Sequence, residues 1–145
     1  MNREKQRAIE WDCTGVLVRF YDFFDAWNYD GMMALCTPDV TWLRAGKMLA
    51  GRAAIVAELK PRSTTQVVRH LLTNILVDVR DAGHADLKCL LTAYRHDTGE
   101  KPAVAPTIRM PILLLVVTAR LIREGDCWLI AEQVMKREFV FEDEG

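Results

Sequence analysis

The hydrophobic pattern changes period partway along this chain, and that change limits the folds open to it. Between residues 4 and 27 the apolar positions Ile9, Cys13, Leu17, Phe20, Phe24 and Trp27 step by threes and fours, the stripe of one long helix. From residue 66 onward the period is two, and 66–79, 84–96, 108–124 and 127–141 read as four long strands. The separators are turn-forming: Arg80-Asp81-Ala82-Gly83, Asp97-Thr98-Gly99-Glu100 with a proline-containing extension, and Glu124-Gly125-Asp126. Helices followed by an antiparallel meander predict an α+β fold with the helices on one face of the sheet.

The stretch between these halves is short and punctuated. Asn28 and Asp30-Gly31 break the first helix, and residues 31–36 read as a second. Thr37-Pro38-Asp39 turns the chain into a strand over 40–43, and Ala45-Gly46-Lys47 makes a tight turn into a brief strand ending at Gly51. Residues 52–59, apolar at Ala53, Ile55, Val56 and Leu59, form a third helix bounded by Pro61.

One strand departs from simple alternation, and the last strand, which alternates cleanly, carries one polar exception. Residues 110–117 (MPILLLVV), from Met110 to Val117, are apolar on both parities, whereas a sheet with one wet face alternates. With the helices committed to one face, the pattern predicts a homodimer in which a second copy covers the other face. In the last strand Glu132, Lys136 and Glu138 share one parity, and Leu129, Ala131, Gln133, Met135 and Phe139 share the other. Gln133 is the polar exception on an apolar row, and a pocket gives a buried amide its reason to be there.

A chain of 145 residues is long enough to bury a core as a single domain, 1–145. Its net charge of −1 is spread evenly, with no basic block to neutralise phosphates, which argues against nucleic acid. The four cysteines, Cys13, Cys36, Cys89 and Cys127, form no CxxC pair, and each lies among apolar residues; they read as buried free thiols. The N-terminal residues are charged, and the longest apolar run, 112–117, is far short of the roughly 20 residues of a membrane span. These features predict a cytoplasmic protein away from the membrane. His84 and His96 fall at hairpin ends and read as exposed; with His70 they show no HxH or HExxH spacing, which argues against a metal site. No glycine-rich phosphate loop and no GxSxG motif occurs. The 142–145 tail reads as disordered.

The candidate chemistry lies in Asp25 and His70. At about 100° per residue, Asp25 falls about 80° round the helix from Leu17, on a stripe with Thr14, Val18 and Tyr21, so it borders the buried face. His70 lies within a strand. A carboxylate that reaches an imidazole fixes its tautomer and stabilises it as a cation, which makes histidine a competent general base. Each residue also has a plainer reading, a helix-end cap for Asp25 and a hydrogen-bonded core histidine for His70. Around them, Tyr21 shares the helix stripe with Asp25, and Asn74 shares strand parity with His70 and could donate to a ligand carbonyl. Trp42, Met48, Leu59 and Met110 are candidate apolar lining, although core residues read the same way.

Four segments carry a family resemblance: FYDFFDAWNYDGMMALCTPDVTW at 20–42, GRAAIVAEL at 51–59, RHLLTNI at 69–75 and GDCWLIAEQ at 125–133. In order and spacing they resemble the SnoaL-like branch of the nuclear-transport-factor-2-like superfamily. The resemblance implies a cone: a curved antiparallel sheet, three N-terminal helices packed on its concave face, and a small-molecule pocket at the mouth. The superfamily includes scytalone dehydratase, hexachlorocyclohexane dehydrochlorinase, other enzymes and proteins that catalyse nothing, so the fold leaves the reaction open.

By position, Asp25 and His70 match the aspartate and histidine of the dehydratase and the dehydrochlorinase, which implies that His70 is a general base oriented by Asp25. Gln133 stands where the dehydrochlorinase-like pattern has an arginine. Without that cation an anionic leaving group is less well stabilised, which disfavours halide elimination. Three functions follow as expectations. One is a cofactor-independent lyase (dehydratase-like) or isomerase acting on a small apolar cyclic substrate, with Tyr21, Trp42, Met48, Leu59, Asn74, Met110 and Gln133 in contact with it. The second is a non-catalytic ligand-binding protein. The third is an interaction module like the small subunit of ring-hydroxylating dioxygenases.

Overall fold

The computed structural model describes residues 1–142, so the disorder expected of the tail lies outside the described residues from position 143 on. The elements run α1 (Arg3–Asp25), α2 (Tyr29–Ala34), β1 (Cys36–Arg44), β2 (Lys47–Ala50), α3 (Arg52–Leu59), β3 (Val67–Asp81), β4 (His84–His96), β5 (Leu113–Glu124) and β6 (Cys127–Phe139). The six strands form one sheet in the order β2-β1-β6-β5-β4-β3. α1 packs on β3, β4 and β6 together, and α3 packs on β1 and β2, so the sheet curves around the helices. The expected α+β architecture is therefore present.

The sheet is mixed where the sequence predicts an antiparallel one. The hairpin-linked strands pair antiparallel, but β1 runs parallel to β6. No short turn joins the first strand to the last, so nothing in the local sequence sets their relative direction. Two boundaries also move. Asn28 is an N-cap that accepts a hydrogen bond from the Gly31 N–H at 2.9 Å, so α2 starts at Tyr29. β5 begins at Leu113 because Pro111 has no N–H to offer a ladder. Met110 consequently lies in the irregular segment before the strand.

Side chains from α1 (Ile9, Cys13, Leu17, Phe20, Phe24) form the core with Trp42, Ile55 and Leu59, and with the inward rows of β4, β5 and β6. Bulges bend the strands and reverse their parity. On β3, Thr73 pairs with Leu90 and Leu76 with Lys88, which leaves an extra residue at Asn74, where φ is +53°. On β6 the pairing skips Ala131, so Trp128 and Ile130 point inward before it and Gln133 after it. The single clean alternation expected along β6 is therefore interrupted.

Cys127 is also exposed, against expectation, because it opens β6 at the hairpin turn. On the outward face, Leu71, Thr92, Leu114 and Phe139 line up across β3 to β6, with Leu71 and Phe139 45% and 58% exposed. Among the described residues, no helix is long and apolar enough to cross a membrane.

Candidate functional site

The end of α1 positions Asp25. Beyond it, Trp27 adopts a left-handed conformation (φ +56°), and the Asn28 N–H donates to the Phe23 carbonyl at 2.9 Å. The Trp27 N–H donates to the Phe24 carbonyl at 3.2 Å, completing a Schellman cap. A non-glycine residue in this conformation is strained by about 1–2 kcal/mol. Trp27 is held there by its indole N–H, which donates to the Ser63 carbonyl at 3.0 Å. The cap leaves Asp25 as the last helical residue. A carboxylate there faces the negative end of the helix dipole, which costs about 0.3–1 kcal/mol.

What offsets that cost is the edge of the sheet. β3 is an edge strand, and the main-chain N–H of His70 points away from β4. Asp25 Oδ2 accepts that N–H at 3.0 Å, while Oδ1 lies 2.5 Å from His70 Nδ1. One carboxylate thus grips both the backbone and the ring of the same histidine, in a setting where the two side chains are only 12% and 10% exposed. With Nδ1–H donated to Asp25, Nε2 keeps its lone pair for other work. The ring stands edge-on to Phe24, with centroids 4.9 Å apart, and tilted against Tyr21 at 5.3 Å.

His70 forms part of the wall of a cavity of about 430 Å³ between α1 and the sheet. Tyr21, Phe24, Trp42, Leu91, Leu113, Leu115 and Met135 supply its apolar surface, and Arg44, Ala45, Gly46 and Arg137 complete it. Asp25 stands behind the histidine and faces a separate surface depression shared with Asp22 and Arg69.

Tyr21 donates its hydroxyl hydrogen to Gln133 Oε1, and both residues are almost fully buried. Burial, reinforced by the neighbouring Cys89 thiol, pushes the Tyr21 phenol well above its ordinary range. The ring therefore presents a neutral hydroxyl whose own proton is already engaged. Arg44 stands 5.6 Å from the Trp42 ring and 5.8 Å from the Phe24 ring. Its pKa is lowered by burial first and by the nearby Arg62 second.

Of the residues singled out from sequence, the structure brings together Asp25, His70, Tyr21 and Trp42. Gln133 lies behind the wall as the partner of Tyr21 and does not line the cavity. Asn74 is exposed, because the bulge that contains it reverses the parity that would have aligned it with His70. Met48 is 56% exposed on β2, Leu59 is sealed in the core, and Met110 lies outside the lining. The residues missed are Phe24, Arg44, Leu91, Leu113, Leu115, Met135 and Arg137. A parity count carried two residues past Trp42, and two and four past Gln133, would have found Arg44, Met135 and Arg137. Among the described residues, no three His, Cys, Asp or Glu side chains converge on a position for a metal ion.

Residues 8–134 match the family model described as a SnoaL-like domain. No curated protein matches the chain in sequence. Among solved structures, a Novosphingobium aromaticivorans protein with the provisional name scytalone dehydratase superposes with a TM-score of 0.83 at 14% identity, over 99% of this chain and 93% of its own. A Streptomyces avermitilis protein, provisionally named a dehydratase of the NTF2-like family, gives 0.75 at 15% identity, over 89% and 96%. A Nostoc punctiforme protein of unknown function with a cystatin-like fold gives 0.72 at 12%, over 88% and 90%. At these identities the likeness is one of fold.

Proposed function

The chain belongs to the SnoaL-like domain family, and on that premise we propose that it is a cofactor-independent lyase or isomerase with His70 as its general base. The observation that carries this reading is the contact between Asp25 Oδ1 and His70 Nδ1, with the same imidazole on the wall of an apolar cavity. His70 Nε2 takes a proton from a carbon next to an activating group, and the imidazolium that forms is held by the Asp25 carboxylate. In a dehydration the electron pair released by the C–H bond forms the new double bond as the neighbouring C–O bond breaks. The departing hydroxide takes the proton back from His70 and leaves as water. In an isomerisation the proton returns to a different carbon. A positioned base of this kind contributes about 10²–10⁴-fold.

Cyclic β-hydroxy ketones, followed for loss of water and for uptake of solvent deuterium, provide the assay. His70→Ala is expected to abolish turnover and Asp25→Asn to cut it severely, with both variants folded by circular dichroism. A fully active His70→Ala enzyme sinks the proposal.

The Tyr21–Gln133 pair favours a second reading, a binding protein without chemistry, because the tyrosine proton is committed to the glutamine and not offered to a ligand. That reading predicts ligand binding indifferent to Asp25→Asn and no turnover with any substrate. In either case the outward apolar face of the sheet supports a homodimer, and a single chain held only by a larger partner would favour the interaction-module reading.

A further inference from the structure

We propose that the cavity takes a ring compound bearing a carboxylate, held at the mouth by Arg44 and Arg137 with its apolar body directed inward to His70. This deepens the reading of the cavity as a substrate site but does not depend on His70 acting as a base.

The charges around the cavity are one-sided. Two guanidinium groups line it, and the one carboxylate of the site, Asp25, is turned away behind His70. Among the described residues, neither the Arg44 nor the Arg137 side chain makes a hydrogen bond or an ion pair. The groups that act electrostatically on Arg44 are Arg62, which repels it, and Glu58, Tyr21 and Tyr29. Glu58 is already held by Lys47 at 2.8 Å, and Arg62 is spent on Phe24, with its guanidinium carbon 3.9 Å from the ring centroid. Arg44 is thus a half-buried cation packed on the faces of Trp42 and Phe24, with no carboxylate among the described residues in ion-pair contact with it. A charge removed from water without a counter-charge is costly, and a ligand anion removes that cost.

The topology decides where the anion goes. Arg44 ends β1, and a two-residue hairpin turn (Ala45 φ +50°, Gly46 φ +75°) fixes it at the rim. Arg137 follows Gln133 and Met135 on the inward parity of the neighbouring strand β6, opposite Leu115. His70 is on β3, at the far edge of the sheet. The cations and the base therefore occupy opposite walls, with Leu91, Leu113, Leu115 and Met135 between them. A planar fork of N–H donors suits a carboxylate, which it binds in bidentate fashion. An anion anchored on Arg44 leaves the ring of the substrate over the apolar floor.

The probe is 2-naphthoate, compared with its neutral isostere 2-naphthamide, by calorimetry on the full chain. The acid is expected to bind about tenfold or more tightly than the amide, as befits hydrogen bonds to charged groups. Arg44→Gln should remove most of that preference, weakening the acid far more than the amide, with Arg44→Lys retaining part of it. Arg137→Gln, at an exposed position that does not endanger folding, should reduce it. Equal binding of acid and amide, no binding of the acid, or an equal loss of both in Arg44→Gln would overturn the proposal. His70→Asn should keep the preference. If naphthoate is preferred and no turnover is found with any substrate, the catalytic reading fails and this one stands. If His70-dependent turnover exists but naphthoate neither binds nor competes, the reverse holds.

Discussion

A double-mutant cycle on Asp25 and His70 separates a working dyad from a helix-end carboxylate that merely caps a sheet edge. Asp25 makes two contacts, one to the His70 main-chain N–H and one to the ring. Each is a hydrogen bond to a charged group, worth about 1.5–3 kcal/mol. With the side chains only about one-tenth exposed, solvent screens them little. Asp25→Asn preserves one carbonyl acceptor and sets an NH₂ group against the other N–H, so it should cost about 2 kcal/mol. On a chain of this length that lowers Tm by about 4–8 °C.

His70→Ala removes the ring contact and leaves the main-chain one. The coupling energy of the cycle therefore reports the ring contact alone, and it should be about 1.5 kcal/mol, well outside the few tenths typical of independent sites. Urea unfolding followed by tryptophan fluorescence measures all four corners. A coupling below about 0.5 kcal/mol would refute the dyad. Asp25 would then be an edge cap, and a positioned imidazole would lose its support.

The other expectations address different parts of the molecule. Gln133→Leu strands the buried Tyr21 hydroxyl and should destabilise by about 1–3 kcal/mol, while Gln133→Leu combined with Tyr21→Phe should recover most of the loss; no recovery would mean that the pair is not a mutual hydrogen bond. Burial, with a smaller contribution from Asp12, pushes the Cys13 thiol to about 12, and burial likewise raises Cys36 to about 12 and Cys89 to about 11. Iodoacetamide on the native protein should therefore modify the exposed Cys127 alone, and early labelling of any other cysteine by mass spectrometry contradicts the packing.

The Asp97 carboxyl is held below its ordinary value of 3.8 by the Gly99 main-chain N–H and then by the Ser63 and Thr65 hydroxyls. Its contribution is complete above that value and is lost as pH falls through the lower folded pKa, so Asp97→Asn should destabilise at pH 6 and converge with the parent under strong acid. A urea-midpoint gap independent of pH would contradict this. Finally, sedimentation equilibrium should show a dimer, and Val116→Lys on the outward face of β5 should weaken it at least about a hundredfold, because both copies lose apolar burial and gain a charge. A monomeric parent chain rules that interface out.

Much of the architecture was legible because hydrophobic period reports secondary structure and turn residues report its ends. His84–His96 and Arg52–Leu59 begin and end where the pattern says they should. What local pattern does not encode is pairing between distant strands, and so the parallel contact of β1 with β6 had no local signal. Bulges are the second blind spot. A parity count assumes an unbroken pleat, and one extra residue at Asn74 reverses everything downstream of it. The same error placed Asn74 in the site and overlooked the inward turn of Trp128 and Ile130 before Ala131. Met48 and Leu59 failed for a different reason: apolar character shows that a residue avoids water but not whether it meets a cavity, the core or another chain.

Asp25 was legible because it borders the buried stripe of α1 and matches the family aspartate by position, and in the structure it also breaks a local rule. An acidic residue in the last turn of a helix opposes the dipole, and α1 has no basic residue there to offset it. Sequences tolerate such conflicts where a distant contact outweighs them, and here that contact is an edge strand with an unpaired N–H. The edge-cap reading and the dyad reading therefore share one cause. Capping the edge brings the carboxylate within reach of residue 70, and a histidine at that position turns the cap into an orienting group. An asparagine at 70 would keep the main-chain bond and lose the base. The chemistry consequently depends on one side chain added to an arrangement that the fold already needs. For that reason the test of function must perturb the imidazole and the carboxylate separately.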